Sequence, residues 1–232
     1  MGKRIIQQRR GHGSLTYRVR KKAGLVRPGY LTKLEGEFKV IKLISSPGHS
    51  VPIAKIANKE GKIFYNFAAN LLYVGQKITI GGSSVGDIAK VGDLKNGTTV
   101  FNIENHQLDG GKFIRAGGAS GTIMNTEGDK VTILMPSKKV KKFNKNCRAT
   151  VGRAAGHGRV EKPILKAGRK FYIMKAKSKL WPRTSAVAMN KIDHPFGSGR
   201  GKRVKSKIAK RNAAPGKKVG HLRPRRTGRK KR

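Results

Sequence analysis

The chain has 232 residues, of which 54 are Lys or Arg and only 11 are Asp or Glu, giving a formal net charge of +43. That excess excludes the surface of an ordinary soluble enzyme, because a free protein this basic repels itself and loses compactness without a counter-charge. Apolar residues make up 36%, below the usual globular fraction, and they are concentrated in the middle of the chain.

The natural counter-charge is a polyanion. Neutralising phosphates releases condensed counterions, which drives binding whatever the base sequence. A membrane surface is disfavoured, since no apolar run approaches about 18 residues. Lys3-Arg4 is followed only by Ile5-Ile6 and then polar residues, which is not a secretory signal. A cytoplasmic location is expected. Cys147 is the single cysteine, so neither an internal disulfide nor a cysteine zinc site is possible. It reads as a small buried apolar residue, with a reactive thiol as the lesser alternative.

The first 33 residues carry ten Lys/Arg and no acid, and the last 33, from Arg200 to Arg232, carry sixteen and again no acid. These arms hold too few apolar side chains to offset backbone entropy of about 1–2 kcal/mol per residue. They are expected to order only against a polyanion. Between them lies a better-balanced core.

In chain order, Phe38–Ile44 is rich in β-branched and aromatic residues and reads as a strand. Ser45 to Gly48 turn the chain and Val51–Ala57 follows. Asn58–Lys62 is a hairpin turn, out of which Ile63–Phe67 runs. Asn70–Val74 is a candidate helical turn, and Lys77–Ile80 ends at Gly81-Gly82. Gly97–Ile103 reads as a strand, Gly110-Gly111 as a turn, and Ala119–Met124 as another strand. Glu127-Gly128-Asp129 is a tight turn into Lys130–Met135, and Val140–Phe143 returns. Lys138–Lys142 is a basic run, either a solvated loop or an RNA contact. Cys147–Val151 is a second candidate helical turn. No long segment shows a 3.6-residue period. Short strands at spacings of about 8–12 residues predict an all-β fold of two small β-barrels, joined near residues 82–92.

Several blocks then carry a family resemblance. They begin with Gly2-Lys3-Arg4-Ile5-Ile6-Gln7-Gln8-Arg9-Arg10-Gly11 and continue with Ser46-Pro47-Gly48-His49-Ser50-Val51-Pro52-Ile53-Ala54. Gly97–Glu104, Asp109–Gly118 and Asn146–Gly152 follow. The most specific block is Val187-Ala188-Met189-Asn190-Lys191-Ile192-Asp193-His194-Pro195-Phe196-Gly197-Ser198-Gly199. Pro215–Gly220 and Arg226–Arg229 complete the series. Nearly the whole chain resembles, in collinear order, the archaeal and eukaryotic type of the large-subunit ribosomal protein L-two family. There are departures. Ser185-Ala186 stand where the family usually has Arg-Gly, Lys191 where Pro or Ala is common, and Ser198 in place of the middle Gly of a triple. Arg200–Lys207 does not follow the family pattern.

The resemblance implies an OB-like barrel followed by an SH3-like barrel, both bound to large-subunit rRNA, with long extensions threading between rRNA helices. The implied divisions are a basic N-terminal extension (1–33), an OB-like barrel (34–82), an SH3-like barrel (83–180) and a basic C-terminal extension (181–232). The implied function is that of a structural constituent of the large ribosomal subunit, which stabilises rRNA near the peptidyl transferase centre and supports subunit association. The alternatives are a free-standing RNA chaperone or a basic nucleic-acid packaging protein. Expected partners are large-subunit rRNA, neighbouring ribosomal proteins and the small subunit across the interface. No membrane, small-molecule substrate, cofactor, metal or homo-oligomer is expected.

The side chains expected on rRNA are Lys3, Arg4, Arg9, Arg10, Arg18, Arg20, Arg115, Arg148, Arg153, His157, Arg159, Lys175, Lys177, Lys179, Trp181, Arg183, Arg200, Arg203, Arg225, Arg226 and Arg229. Arginine suits phosphate because its planar fork makes two parallel bonds and also stacks on bases. Trp181 reads either as a stacking platform or as packing on a barrel edge. The loop expected to point toward the peptidyl transferase centre contains Met189, Asn190, Asp193, His194, Pro195, Phe196, Gly197 and Gly199. Asp193-His194 looks like a catalytic pair, but adjacent residues rarely face each other and no nucleophile motif accompanies them. No catalytic residue is assigned, and no enzyme activity is expected. Gly197, Gly199 and Gly201 have neither a Walker pattern nor a strand–helix context, so they read as permitting close backbone approach to RNA. His12, His49, His157 and His221 lack metal-ligand spacing.

Overall fold

The structure, a computed structural model, describes residues 2–198, 208–222 and 224. Two compact units emerge: Arg20–Arg169, and Met1–Val19 together with Lys170–Arg232. The first unit is mostly β-sheet.

One sheet of that unit has four antiparallel strands. They are β1 (Glu37–Ile44), β2 (Ile53–Asn58), β3 (Ile63–Phe67) and β4 (Lys77–Thr79), in the order β3-β2-β1-β4. In β1, Phe38 and Val40 point inward while Glu37 and Lys39 point out, the period of two that a half-buried strand requires. A bulge between Val40 and Lys42 then breaks the register, so Ile41 is left 48% exposed despite its apolar character. The β2–β3 hairpin closes as expected from its residues. Asn58 N–H donates to the Lys62 carbonyl at 3.1 Å, and Lys62 N–H donates to Asn58 Oδ1 at 2.8 Å.

The other sheet has six strands in the order β5-β10-β6-β7-β8-β9. They are β5 (Ile88–Lys90), β6 (Thr99–Phe101), β7 (Gly121–Glu127), β8 (Lys130–Leu134), β9 (Val140–Asn144) and β10 (Arg148–Val151). Neither sheet closes on itself in these strand orders. Isolated bridges Ala69–Ala154 and Ile80–Ile88 link them. The larger core cluster gathers Phe101, Ile103, Ile123, Val131, Ile133, Phe143 and Cys147. The smaller gathers Tyr30, Phe38, Val40, Ile56, Phe64, Ile78 and Ile88. Tyr30 thus belongs to the core although it lies inside the basic N-terminal run. Cys147 is fully buried, and burial pushes its thiol pKa up, which makes it an inert core residue.

Three expectations need correction. Cys147–Val151 is not a helical turn: Arg148–Val151 is a strand paired on both sides, by β5 and β6, with every residue buried. A strand buried on both faces loses its alternation, which is why its period gave no signal. Asn70–Val74 forms turns rather than a helix, with Leu71 at φ 68°. A helix was also missed: α2 spans Ala167–Ala176. It buries no residue, so it has no apolar stripe for a sequence pattern to reveal.

In the second unit, the short α1 (Ile6–Gly11) sits near the start of the chain. Its first turn is tied down by Ile5 N–H donating to Gln8 Oε1 at 3.0 Å. Lys3 N–H donates to the Ile192 carbonyl at 2.7 Å, and Ser178 Oγ donates to the Arg18 carbonyl at 2.6 Å. These bonds join the first residues of the chain to its last quarter. A two-residue parallel pair, β11 (Ile208–Ala209) with β12 (His221–Leu222), completes the unit. No helix among the described residues is long and apolar enough to cross a membrane.

Candidate nucleic-acid interface

The expected contact residues divide by what the fold does with them. Arg148 is drawn inward. Its Nη2 donates to Glu104 Oε1 at 2.7 Å and its Nη1 to the Leu31 carbonyl at 2.7 Å. Glu104 is wholly buried and Arg148 nearly so. The guanidinium also lies 5.4 Å from the Tyr30 ring. Its burial and its pairing with a buried carboxylate give Arg148 a structural role. Arg115 is half-committed. Its two terminal nitrogens donate to the Gly111 and Pro28 carbonyls at 3.1 and 2.8 Å, and its guanidinium sits 4.7 Å from the Phe67 ring. Burial pulls its pKa below the usual value, yet a guanidinium stays charged throughout the working range.

Arg153, His157 and Arg159 remain exposed on the loop after β10. That loop is clasped by Gly118, whose N–H donates to the Ala154 and Ala155 carbonyls at 3.1 and 3.2 Å, while Arg153 Nε donates to the Gly118 carbonyl at 2.8 Å. Within the basic run at 138–142, Lys142 pairs with Glu127 at 2.9 Å and Lys141 Nζ lies 3.5 Å from the Phe113 ring centroid. These lysines therefore have protein partners as well as solvent.

In the second unit, Arg4, Arg9, Arg10, Arg18, Lys175, Lys179 and Arg183 are exposed. Arg9 Nε donates to the Arg4 carbonyl at 3.0 Å, and Arg18 Nε to the Gly13 carbonyl at 2.8 Å. Arg20, which opens the other unit, is likewise exposed. Lys177 and Trp181 are partly covered, and Lys170 Nζ stands 5.4 Å from the Trp181 ring. Phe171 and Tyr172 on α2 are exposed aromatics flanked by lysines, an arrangement suited to base stacking. Sequence reasoning missed them because it missed the helix. Gly199, Arg200, Arg203, Arg225, Arg226 and Arg229 lie outside the described residues.

The 189–198 loop folds onto itself. Asp193 and His194 N–H groups donate to the Asn190 carbonyl at 3.0 and 3.1 Å, and Ser198 N–H donates to Met189 at 3.0 Å. Gly197 is buried, and a Cβ there would strike the Asn190 and Met189 carbonyls; the loop closes only without a side chain. Asp193 does not orient His194. Its carboxylate instead meets Lys3 Nζ at 3.5 Å. His194 Nδ1 accepts the Phe196 N–H at 3.0 Å, which places the neutral ring's proton on Nε2. Burial lowers the His194 pKa. Pro195 is exposed, and Phe196 packs edge-on against His194 at 5.1 Å.

Two departures from the family pattern meet in this loop. Lys191 N–H, a donor that proline lacks, reaches Ser198 Oγ, an acceptor that glycine lacks, at 3.1 Å. Ser198 holds φ 62°, a conformation natural to glycine. Lys191 follows Asn190 at the second position of a turn, where proline is favoured. We therefore expect Lys191→Pro and Ser198→Gly to be coupled, with an interaction of about 0.5–1 kcal/mol in a double-mutant cycle. Hydrogen exchange provides the check. Ser198→Gly should speed exchange of the Lys191 amide, and an unchanged rate would show that the bond contributes nothing.

The loop, α1 and the segment after α2 bring together Arg4, Arg9, Arg183, Met189, Asn190, Asp193 and His194 around one cavity of about 490 Å³. Sequence reasoning named these residues but had no means of grouping them. Among the described residues, no three His, Cys, Asp or Glu side chains come together as a metal site.

By class, then, this is a basic, β-rich protein in which 54 Lys and Arg face 11 Asp and Glu, and most of the expected contact cations among the described residues are exposed. Residues 84–215 match the family described as Ribosomal Proteins L2, C-terminal domain. Over 238 residues, covering all of both chains, the sequence is 45% identical to the large ribosomal subunit protein uL2 of Hyperthermus butylicus. It is 42% identical to that of Sulfurisphaera tokodaii over 99% of each chain, and 44% identical to that of Saccharolobus islandicus over 99% of each. The chain belongs to the ribosomal protein L2 family.

Proposed function

We propose that this chain is a structural constituent of the large ribosomal subunit, bound to its rRNA, and not an enzyme. The observation that carries this reading is kinship over the full length with relatives named large ribosomal subunit protein uL2. The net charge of +43 supplies the physical reason, since it needs a polyanion to balance it. In this reading the four-stranded sheet is the OB-like element and the six-stranded sheet the SH3-like element. Residues 1–33 and 181–232 are the extensions that thread the RNA, flanking the elements at 34–82 and 83–180. The exposed cations named above hold phosphates. The 189–199 loop faces the peptidyl transferase centre, where the chemistry belongs to RNA. Neighbouring ribosomal proteins and the small subunit are further partners, and the location is the cytoplasmic ribosome.

Sedimentation of cell lysate through sucrose gradients at rising salt tests this. The protein should travel with the large subunit and leave it only far above physiological salt. For a free RNA fragment, six to ten phosphate contacts imply an affinity loss of about 10³–10⁵ between 50 and 200 mM salt. Protein running free, or with DNA, at moderate salt would instead favour an RNA chaperone or a packaging protein.

A further inference from the structure

The geometry points to the cavity bounded by Arg4, Arg9 and Arg183 as a socket for one nucleotide turned out of an RNA stack. Its phosphate would lie on the arginines and its base against Leu180, Pro182 and Met189. This rests on the rRNA reading above and adds to it a defined, single-nucleotide contact.

Three observations carry it. The first is size: the cavity, about 490 Å³, falls within the range of about 300–1,000 Å³ typical of small-ligand sites. The second is charge. None of the three arginines takes part in an ion pair among the described residues, whose six pairs involve other cations. The one acid on the wall, Asp193, is already opposed by Lys3 at 3.5 Å. The wall therefore presents uncompensated guanidinium groups, which grip phosphate in two bonds and stack on bases. The third is lining chemistry. Apolar side chains stand beside these cations in the same cavity, and a nucleotide joins an apolar base face to an anionic phosphate in the same way. Proteins that read RNA by base do so largely on splayed-out, unstacked nucleotides. A lone inorganic anion would leave the apolar wall unused.

The test uses the full-length chain and fluorescence anisotropy on hairpins of equal charge: one fully paired, and four carrying a single A, C, G or U bulge. At least one bulged hairpin should bind about tenfold more tightly than the paired one. Arg9→Gln/Arg183→Gln should remove that preference. Its affinity for the paired hairpin should fall no further than that of a charge-matched variant, Lys59→Gln/Lys95→Gln. Met189→Trp fills the cavity without changing charge and should remove the preference as well. Equal binding of all five hairpins by the unaltered chain would overturn the socket while leaving the rRNA reading intact. Binding without salt dependence would instead remove the rRNA reading beneath it. Adenosine and uridine monophosphates separate the sources: displacement of the paired hairpin by millimolar mononucleotide, with no bulge preference, would mean a site for free nucleotides and overturn the RNA-borne one.

Discussion

Replacing Arg148 with methionine should destabilise the Arg20–Arg169 unit by about 3–5 kcal/mol, against total stabilities of roughly 5–15 kcal/mol for ordinary domains. Glu104 has no solvent-exposed side-chain surface. Its carboxylate accepts Arg148 N–H at 2.9 Å, Nη2 at 2.7 Å, Nε at 3.2 Å and Gly110 N–H at 3.1 Å. Removing the guanidinium leaves that carboxylate buried with two backbone donors and no counter-ion. The Leu31 carbonyl loses its donor at the same time. The pair as a whole is worth less than this figure, because both ions were taken out of water to form it. Glu104→Met/Arg148→Leu should therefore recover much of the loss. Urea unfolding followed by circular dichroism reads both variants. If Arg148→Met stayed within about 0.5 kcal/mol of the parent, the buried-pair account would fail. RNA affinity adds a second readout: Arg148→Lys should weaken binding only as far as it loosens the fold.

The second large effect is expected from Gly118→Ala, at about 3 kcal/mol. Gly118 has φ 75°, and an added Cβ would run into the backbone of His157. The left-handed conformation alone costs alanine about 1 kcal/mol. The clash adds more, because its target is backbone, held by Gly118 N–H donating to Ala154 and Ala155. Gly117 beside it is equally tight, with Ser50 O 2.5 Å from its hypothetical Cβ. The displaced loop carries Arg153, His157 and Arg159, so RNA affinity should fall together with stability. Gly158→Ala serves as the comparison. It lies in the same loop but faces open space, and should change stability by less than about 0.5 kcal/mol. Equal effects from the two substitutions would show that the clasp does not hold the loop.

Much of this architecture was readable from residue order. The β1–β3 and β7–β9 strands were visible because turn residues bound them and β-branched and aromatic residues gather in them; the start of β1 and all of β8 also alternate buried with more exposed positions. Strand β10 and helix α2 failed for opposite reasons: one is buried on every side and the other buries nothing, so neither has a contrasting face. The polar seam between the sheets was missed in another way. Tyr30 O–H meets Thr150 Oγ1 at 2.7 Å, Asn66 Nδ2 donates to Thr150 Oγ1 at 3.0 Å, and Asn102 Nδ2 donates to Asn66 Oδ1 at 2.9 Å. The available signal was Asn66 and Asn102, each interrupting a run of apolar residues. Buried amides in such runs call for hydrogen-bond partners; those present lie 36 to 120 positions apart, while Asn102 Oδ1 is buried without one.

By itself the sequence determined the charge, and hence the need for a polyanion, together with the strand-rich core and the family. Those follow from composition, local pattern and residue identity. Which cations face solvent was decided only by tertiary structure. Arg148 and Arg153 sit five residues apart in equally basic, glycine-marked surroundings, yet one neutralises a buried carboxylate and the other reaches outward. The difference is Glu104, 44 positions from Arg148, and only the fold brings that partner within hydrogen-bonding distance.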